Sequence, residues 1–205
     1  MHAADAAALL ESLGTPPAVV VGTSAGAAIA IDLAVRRPDL VQVIIAHEFP
    51  WRFTRHLPTG SQVAALAKIG SLVLRGRQSD AAEALLRSAY SYRDGGSAWD
   101  AFPEAWRQAA RDNARATLVD FRNSIGTYPS PRDLATVQVP VVCSYGARSP
   151  TSMFGLAQSL AAAIPTARTL RIEGAGHAVA FDATANFVQV IAETITASPT
   201  HRDRF

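Results

Sequence analysis

The stretch AVVVGTSAGAAIAIDLAVR, residues 18–36, changes character at Gly22. Valines before that point favour a strand, an alanine-rich run after it favours a helix, and Ser24 sits at the change with Gly22 and Gly26 flanking it at two residues' distance. From Ala18 to Val35 the chain is apolar enough to imitate a membrane span, but Thr23, Ser24, Asp32 and the glycines interrupt it. Strand, turn and helix is the arrangement that fits. A serine at the apex of so sharp a turn requires small neighbours. The turn imposes an unfavourable backbone conformation on the serine and brings the residues two before and two after it together. The helix that starts at Ala25 then directs unpaired backbone amides and the positive end of its dipole at negative charge developing beside the Ser24 hydroxyl. Two other glycine-rich turns are excluded: a dinucleotide fingerprint needs glycine where Ser24 stands, and a phosphate loop needs a Gly-Lys-Ser/Thr ending.

Only one substantial core has to be accommodated, since the chain has 205 residues of which 49% are hydrophobic and 18% charged. Its formal charge of +2 is scattered without a basic stripe, which argues against nucleic acid as a partner. The single cysteine, Cys143 in VPVVCSYG, offers neither a disulfide framework nor a CxxC metal spacing. A reducing, cytoplasmic compartment with the thiol in the core is therefore expected. The opening MHAADAAALLESLG intersperses Asp5 and Glu11 among its apolar residues like an amphipathic helix, and it carries no signal-peptide pattern. No membrane partner is expected.

Along the chain, residues 3–48 read helix, strand AVVVG, helix AGAAIAIDLAVRRP ended by Pro38, and strand LVQVIIAHE. That alternation implies a parallel sheet with crossover helices, an α/β fold. Residues 49–135 change to helical spacing throughout, with Ser79 before DAAE in the place of an N-cap, and read as a helical insert. From residue 136 the alternation resumes with strand VPVVCSYG, helix SMFGLAQSLAAAIP, strand ARTLRIEG and a last helix near NFVQVIAETITA.

A displayed serine needs a base, and the base needs an orienting acid, in any order along the chain. Among five histidines, His177 in IEGAGHAVAFD follows a strand within a glycine-rich loop, where an imidazole can reach over the sheet edge. His2, His56 and His201 fit solvated or core-edge roles better. His47 precedes Glu48 on a strand and is expected to point away from it by alternation.

These parts together resemble the α/β-hydrolase family over nearly the whole chain. Gly22-Thr23-Ser24-Ala25-Gly26 is similar to its nucleophile elbow, Gly174-Ala175-Gly176-His177 to its histidine loop, and residues 49–135 to its helical cap. The resemblance implies Ser24 as nucleophile, His177 as general base and acid, and the Ala25 amide as an oxyanion donor. The family commonly carries its acid as an aspartate in a GxxD turn after the strand that follows the cap, where this chain has Ser149 in ARSP. Relatives that take the acid from the end of the preceding strand point instead to Glu48 in IIAHEFPW, with Asp182 as runner-up and Asp32 structural. Members of the family also carry several strands and a second oxyanion loop, often beginning His-Gly, ahead of the elbow. By that comparison this chain is similar to an N-terminally shortened member, with strand AVVVG exposed at a sheet edge and a second copy of the chain as candidate partner there.

The implied activity is hydrolysis of small, fairly apolar carboxylic esters through an acyl-enzyme on Ser24, in one domain spanning residues 1–205, without metal or organic cofactor. Phe49, Trp51, Phe53, Trp99, Phe102 and Trp106 are candidate pocket residues, although aromatics at helical spacing are more often core. The competing expectation is a non-catalytic, truncated hydrolase-like domain that binds a small ligand or partner, favoured by Ser149 at the usual acid position and by the family's strands ahead of the elbow that this sequence lacks.

Overall fold

A computed structural model describes residues 2–14, 17–50, 60–124 and 129–197. The chain divides into two compact units, Met1–Trp51 with Tyr128–Phe205, and Arg52–Thr127.

The first unit opens with helix α1 (His2–Leu13), whose Ala3 and Ala7 are buried. Strand β1 (Ala18–Thr23) follows, and its valines suit a pleated surface. Helix α2 (Ala25–Arg36) turns Ala27, Ala30, Ile31, Leu33 and Ala34 inward, the spacing of one helical face. Pro38 cannot continue it; a single 3-10 turn, Pro38–Leu40, leads into strand β2 (Val41–His47). After the second unit, the first resumes with strand β3 (Val141–Gly146) and, later, strand β4 (Ala167–Ile172). The four strands are parallel in the order β1-β2-β3-β4.

Alternation along the central strands divides the core. Register pairs Ile44 with Val141 and Ala46 with Cys143, and these residues share one cluster with Ile31, Leu33 and Phe49. Ile45 pairs with Val142, and these two join Ile172, Val179 and Phe187 in a second cluster. Residues one apart face opposite sides of a sheet, so the central residues of β2, Val43 to Ala46, are apolar on both faces. Burial also pushes the Cys143 thiol up to about 12, which leaves it without thiolate character at neutral pH.

The second unit is helical: α3 (Gly60–Leu74), α4 (Gln78–Ala89), a one-turn α5 (Ala98–Ala101), α6 (Glu104–Asp112) and α7 (Ala114–Ser124). Ala81 and Ala82 are fully buried, which lets the helices around α4 approach closely. Ser79 is not the N-cap of α4. The helix begins two residues earlier than that cap would place it, at Gln78 behind Arg77, whose guanidinium holds Asp80 at 2.7 Å, and the Ser79 hydroxyl donates to the Arg111 carbonyl. The first unit's remaining helices are α8 (Pro131–Leu134), α9 (Thr151–Ala163), α10 (Val179–Asp182) and α11 (Thr184–Ala197). Phe49 and Leu134, near the two ends of segment 49–135, both lie in the first unit's core. Among the described residues, no helix is long and apolar enough to cross a membrane.

The turn from β1 to α2 has a steric signature of its own. A Cβ on Gly22 would stand 2.3 Å from the carbonyl oxygen of Gly26, whereas a Cβ on Gly26 would meet open space. Only one of the two glycines is thus demanded by contact. Gly22→Ala should cost about 1–3 kcal/mol of stability or prevent folding, while Gly26→Ala, inside a helix, should be neutral or gain about 0.5 kcal/mol. Urea unfolding of both variants checks this, and equal effects would contradict the geometry.

Candidate active site

Strand register brings Thr23, His47 and Ser144 side by side at the carboxyl ends of β1, β2 and β3. Beyond those ends the backbone turns sharply twice. Ser24 has φ 54° and ψ −121°, and Glu48 has φ 48°; they are the two non-glycine residues with positive φ among the described residues. Such conformations cost about 1–3 kcal/mol each and persist only where surrounding bonds enforce them. Here the bonds are visible. Ser24 N donates to the His47 carbonyl at 2.9 Å, and Glu48 N donates to the Ser144 carbonyl at 2.9 Å. On the other side, Ala27 N donates to the Ser24 carbonyl at 3.0 Å and starts α2.

The Glu48 side chain is fully buried, and each carboxylate oxygen has its own partner. Oε1 accepts from Gly146 N at 2.9 Å, and Oε2 lies 2.8 Å from His177 Nδ1. A carboxylate only accepts, so Nδ1 carries the hydrogen. Burial by itself pushes the Glu48 carboxyl up. The hydrogen bond from His177, the nearby His47 and His177 rings and the Ser149 hydroxyl outweigh it and hold the group below the usual carboxylate range.

His177 stands on the loop that leaves β4, and that loop is fastened at several points. Arg148 N donates to the Ala175 carbonyl at 2.8 Å, and Gly176 N donates to Asp182 Oδ2 at 2.8 Å. The approach of this loop to β3 explains a residue that sequence patterns did not single out. A Cβ on Gly146 would lie 2.4 Å from the Ala175 carbonyl oxygen, so glycine there both admits the loop and offers its amide to Glu48. The signal was a glycine closing a buried strand, which is too common to interpret alone.

The structure therefore joins Glu48 to His177 and ties the Ser24 backbone to the residue preceding Glu48. Asp182 accepts from Gly176 N and so braces the loop that carries His177. Asp32 pairs with Arg36 on the surface of α2. Ser149, at the family's usual acid position, is buried beside Glu48, with its hydroxyl short of full hydrogen-bond geometry to any partner. His47 does not point away from the site. Glu48 leaves the strand in the left-handed region, alternation stops there, and His47 Nε2 comes within 3.8 Å of Glu48 Oε1. The Ala25 residue is exposed at the start of α2.

Of the candidate pocket aromatics, Phe49 is buried in the first unit's core. Trp99 is buried in the second unit and donates its indole hydrogen to Glu83 at 3.3 Å; Phe102 packs against Trp99, Tyr90 and Trp106. Trp106 is 56% exposed. Trp51 and Phe53, like His56 and His201, lie outside the described residues. A cleft of about 340 Å³ in the second unit is lined by Lys68, Arg87, Ser97 and Asp100 among others, but Arg87 is paired with Asp100 and Ser97 donates to the Arg87 carbonyl. No group of three or more metal-ligating side chains is gathered among the described residues.

The sequence pattern of the alpha/beta hydrolase family matches residues 1–190. The chain belongs to that family. It is 47% identical over 47 residues to the uncharacterized hydrolase YraK of Bacillus subtilis, a match covering 23% of this chain and 17% of that relative. Its fold is similar to a bromoperoxidase from Bacillus anthracis, with TM-score 0.73 and 16% identity over 95% of this chain and 72% of the other. It is also similar to an alpha/beta hydrolase from Sphaerobacter thermophilus, with TM-score 0.67 and 24% identity over 94% of this chain and 72% of that one.

Because the folded Glu48 carboxyl titrates below its unfolded value, the stabilisation it supplies is present above about pH 4.3, the ordinary glutamate value, and is lost as pH falls through the folded value. The unfolding free-energy difference between the native chain and Glu48→Gln should thus be constant near neutrality and shrink in acid. Denaturant titrations between neutral pH and about pH 3 measure it; a difference that stays constant or grows on acidification would contradict the assignment.

Proposed function

We propose that this chain is a serine hydrolase that cleaves small, fairly apolar carboxylic esters through an acyl-enzyme on Ser24, with His177 as base and acid and Glu48 as its orienting carboxylate. The observation that carries it is the 2.8 Å bond between His177 Nδ1 and Glu48 Oε2, with Ser24, at φ 54°, bonded through its amide to His47, the residue before Glu48. With its hydrogen on Nδ1 donated to Glu48, His177 presents Nε2 as the nitrogen that takes the Ser24 proton. Ser24 Oγ then attacks the ester carbonyl carbon, and negative charge moves to the carbonyl oxygen. The Ala25 amide, at the positive end of α2, is the donor placed by sequence for that charge. Collapse expels the alcohol, which takes the proton from His177, and leaves an acyl group on Ser24. Water, giving a proton to the same imidazole, attacks the acyl carbon, releases the acid and returns the proton to Ser24.

Glu48 is suited to this cycle because its charge persists at neutral pH and favours the imidazolium formed at each step. The bond to His177 supplies a carboxylate where position 149 has none, which weighs against a non-catalytic domain. Membership of the hydrolase family supports hydrolysis as the reaction class. Ester chemistry is the simplest use of a serine with an imidazole base.

An organophosphonate probe should label the folded chain at Ser24, and Ser24→Ala should abolish both labelling and hydrolysis of activated short-chain esters. Glu48→Gln should lower turnover by about 10⁴, the loss seen when the acid of a serine-protease triad becomes an amide, whereas Asp182→Asn, at the carboxylate that braces Gly176 N, should lower it by less than about 100-fold. Mass-spectrometric mapping and ester kinetics decide both. A label on another serine would overturn the assignment of Ser24, and a reversed ranking would transfer the acid's role to Asp182.

A further inference from the structure

His47 has no part in the proton transfers, yet its ring is completely buried and both nitrogens are engaged. Nε2 lies 3.1 Å from the carbonyl oxygen of Gly176, and Nδ1 lies 3.0 Å from Ser144 Oγ. A carbonyl only accepts, so the hydrogen is on Nε2; the Ser144 hydroxyl, which can donate, completes the pair by giving its hydrogen to Nδ1. Phe187 packs beside the ring, with centroids 6.1 Å apart. Burial lowers the imidazole's affinity for a second proton, although Glu48 opposes this.

We propose that His47 is a positioning residue: held by Ser144 with its hydrogen on Nε2, it anchors the Gly176 carbonyl and thereby aims the adjacent His177 at Glu48 and Ser24. The inference rests on the role of His177 given above. Gly174, at φ 74°, and Gly176 make the loop intrinsically soft, because glycine restricts the backbone least. Gly176 nevertheless has both of its polar groups committed, its N–H to Asp182 and its carbonyl to His47. The Glu48 bond fixes one ring nitrogen of His177; the bonds at Gly176 fix the backbone from which that ring hangs. His47 also accepts Ser24 N through its own carbonyl, so one residue sets both the serine turn and the histidine loop. An error of about 1 Å between reacting groups can cost about 100-fold in rate.

The test uses the full chain labelled with ¹⁵N-histidine. Long-range proton–nitrogen spectra at neutral pH should show His47 protonated on Nε2 alone, and Ser144→Ala should weaken that preference into a mixture of tautomers. His47→Leu should displace or broaden the downfield Nδ1 proton of His177 and lower kcat on an activated ester by about 100-fold, with KM within about twofold. His47→Gln, whose amide can still donate to Gly176, should recover at least about tenfold of that loss and the downfield proton. A His47 protonated on Nδ1 alone or on both nitrogens overturns the inference, as does a folded His47→Leu chain with unchanged kcat and His177 spectrum. Should His47→Leu fail to fold, the native-chain spectrum and Ser144→Ala decide. If Ser24→Ala keeps full activity while the His47 spectra behave as expected, the assignment of Ser24 fails and the anchoring of the loop stands.

Discussion

At the end of β2 the backbone passes from His47 in a regular strand to Glu48 at φ 48°, and the geometry of the whole candidate site depends on that step. In an uninterrupted strand the two side chains would project to opposite faces of the sheet. The left-handed turn instead carries the Glu48 carboxylate across the strand ends toward β3 and the loop after β4. There it receives Gly146 N on one oxygen and His177 Nδ1 on the other. The turn is itself held by Glu48 N donating to the Ser144 carbonyl, so backbone and side chain of one residue link three strands' ends.

A buried carboxylate is costly unless its charge is compensated, and removing either partner exposes the full desolvation cost of the other. Glu48 and His47 share that situation side by side and resolve it differently. Glu48 remains charged because an N–H points at each oxygen. His47 gives one hydrogen to the Gly176 carbonyl and accepts one from the Ser144 hydroxyl, and burial disfavours its second proton. Ser144 and His47 are thus polar residues buried among apolar neighbours, and their mutual hydrogen bond helps both to be there.

The turn at Ser24 is built by a separate constraint. Close approach of Gly22 to the Gly26 carbonyl determines how tightly β1 runs into α2, and Gly146 makes the equivalent close approach to the His177 loop. Both are contacts of backbone with backbone. Side chains could not substitute for them, since a Cβ at either position would penetrate a carbonyl group. The two glycines let the serine and histidine segments draw in toward the β2 end that holds Glu48.

By itself the sequence determined the local parts of this protein. Valines before Gly22 and alanines after it carry a strand and a helix in their own propensities, and the alternation of such segments dictates a parallel α/β sheet. The serine turn was equally legible, because its requirement for small residues lies within five consecutive positions. The partners of Glu48 were not readable in that way. Gly146 and His177 stand 98 and 129 residues from it, and the bonds exist only after strand register has aligned the chain ends of β2, β3 and β4. His47 shows the limit most clearly. Period-two alternation predicts that it faces away from Glu48, and this fails because positive φ at a single residue ends the alternation there. No local preference of glutamate signals such a conformation, which persists only because tertiary hydrogen bonds enforce it.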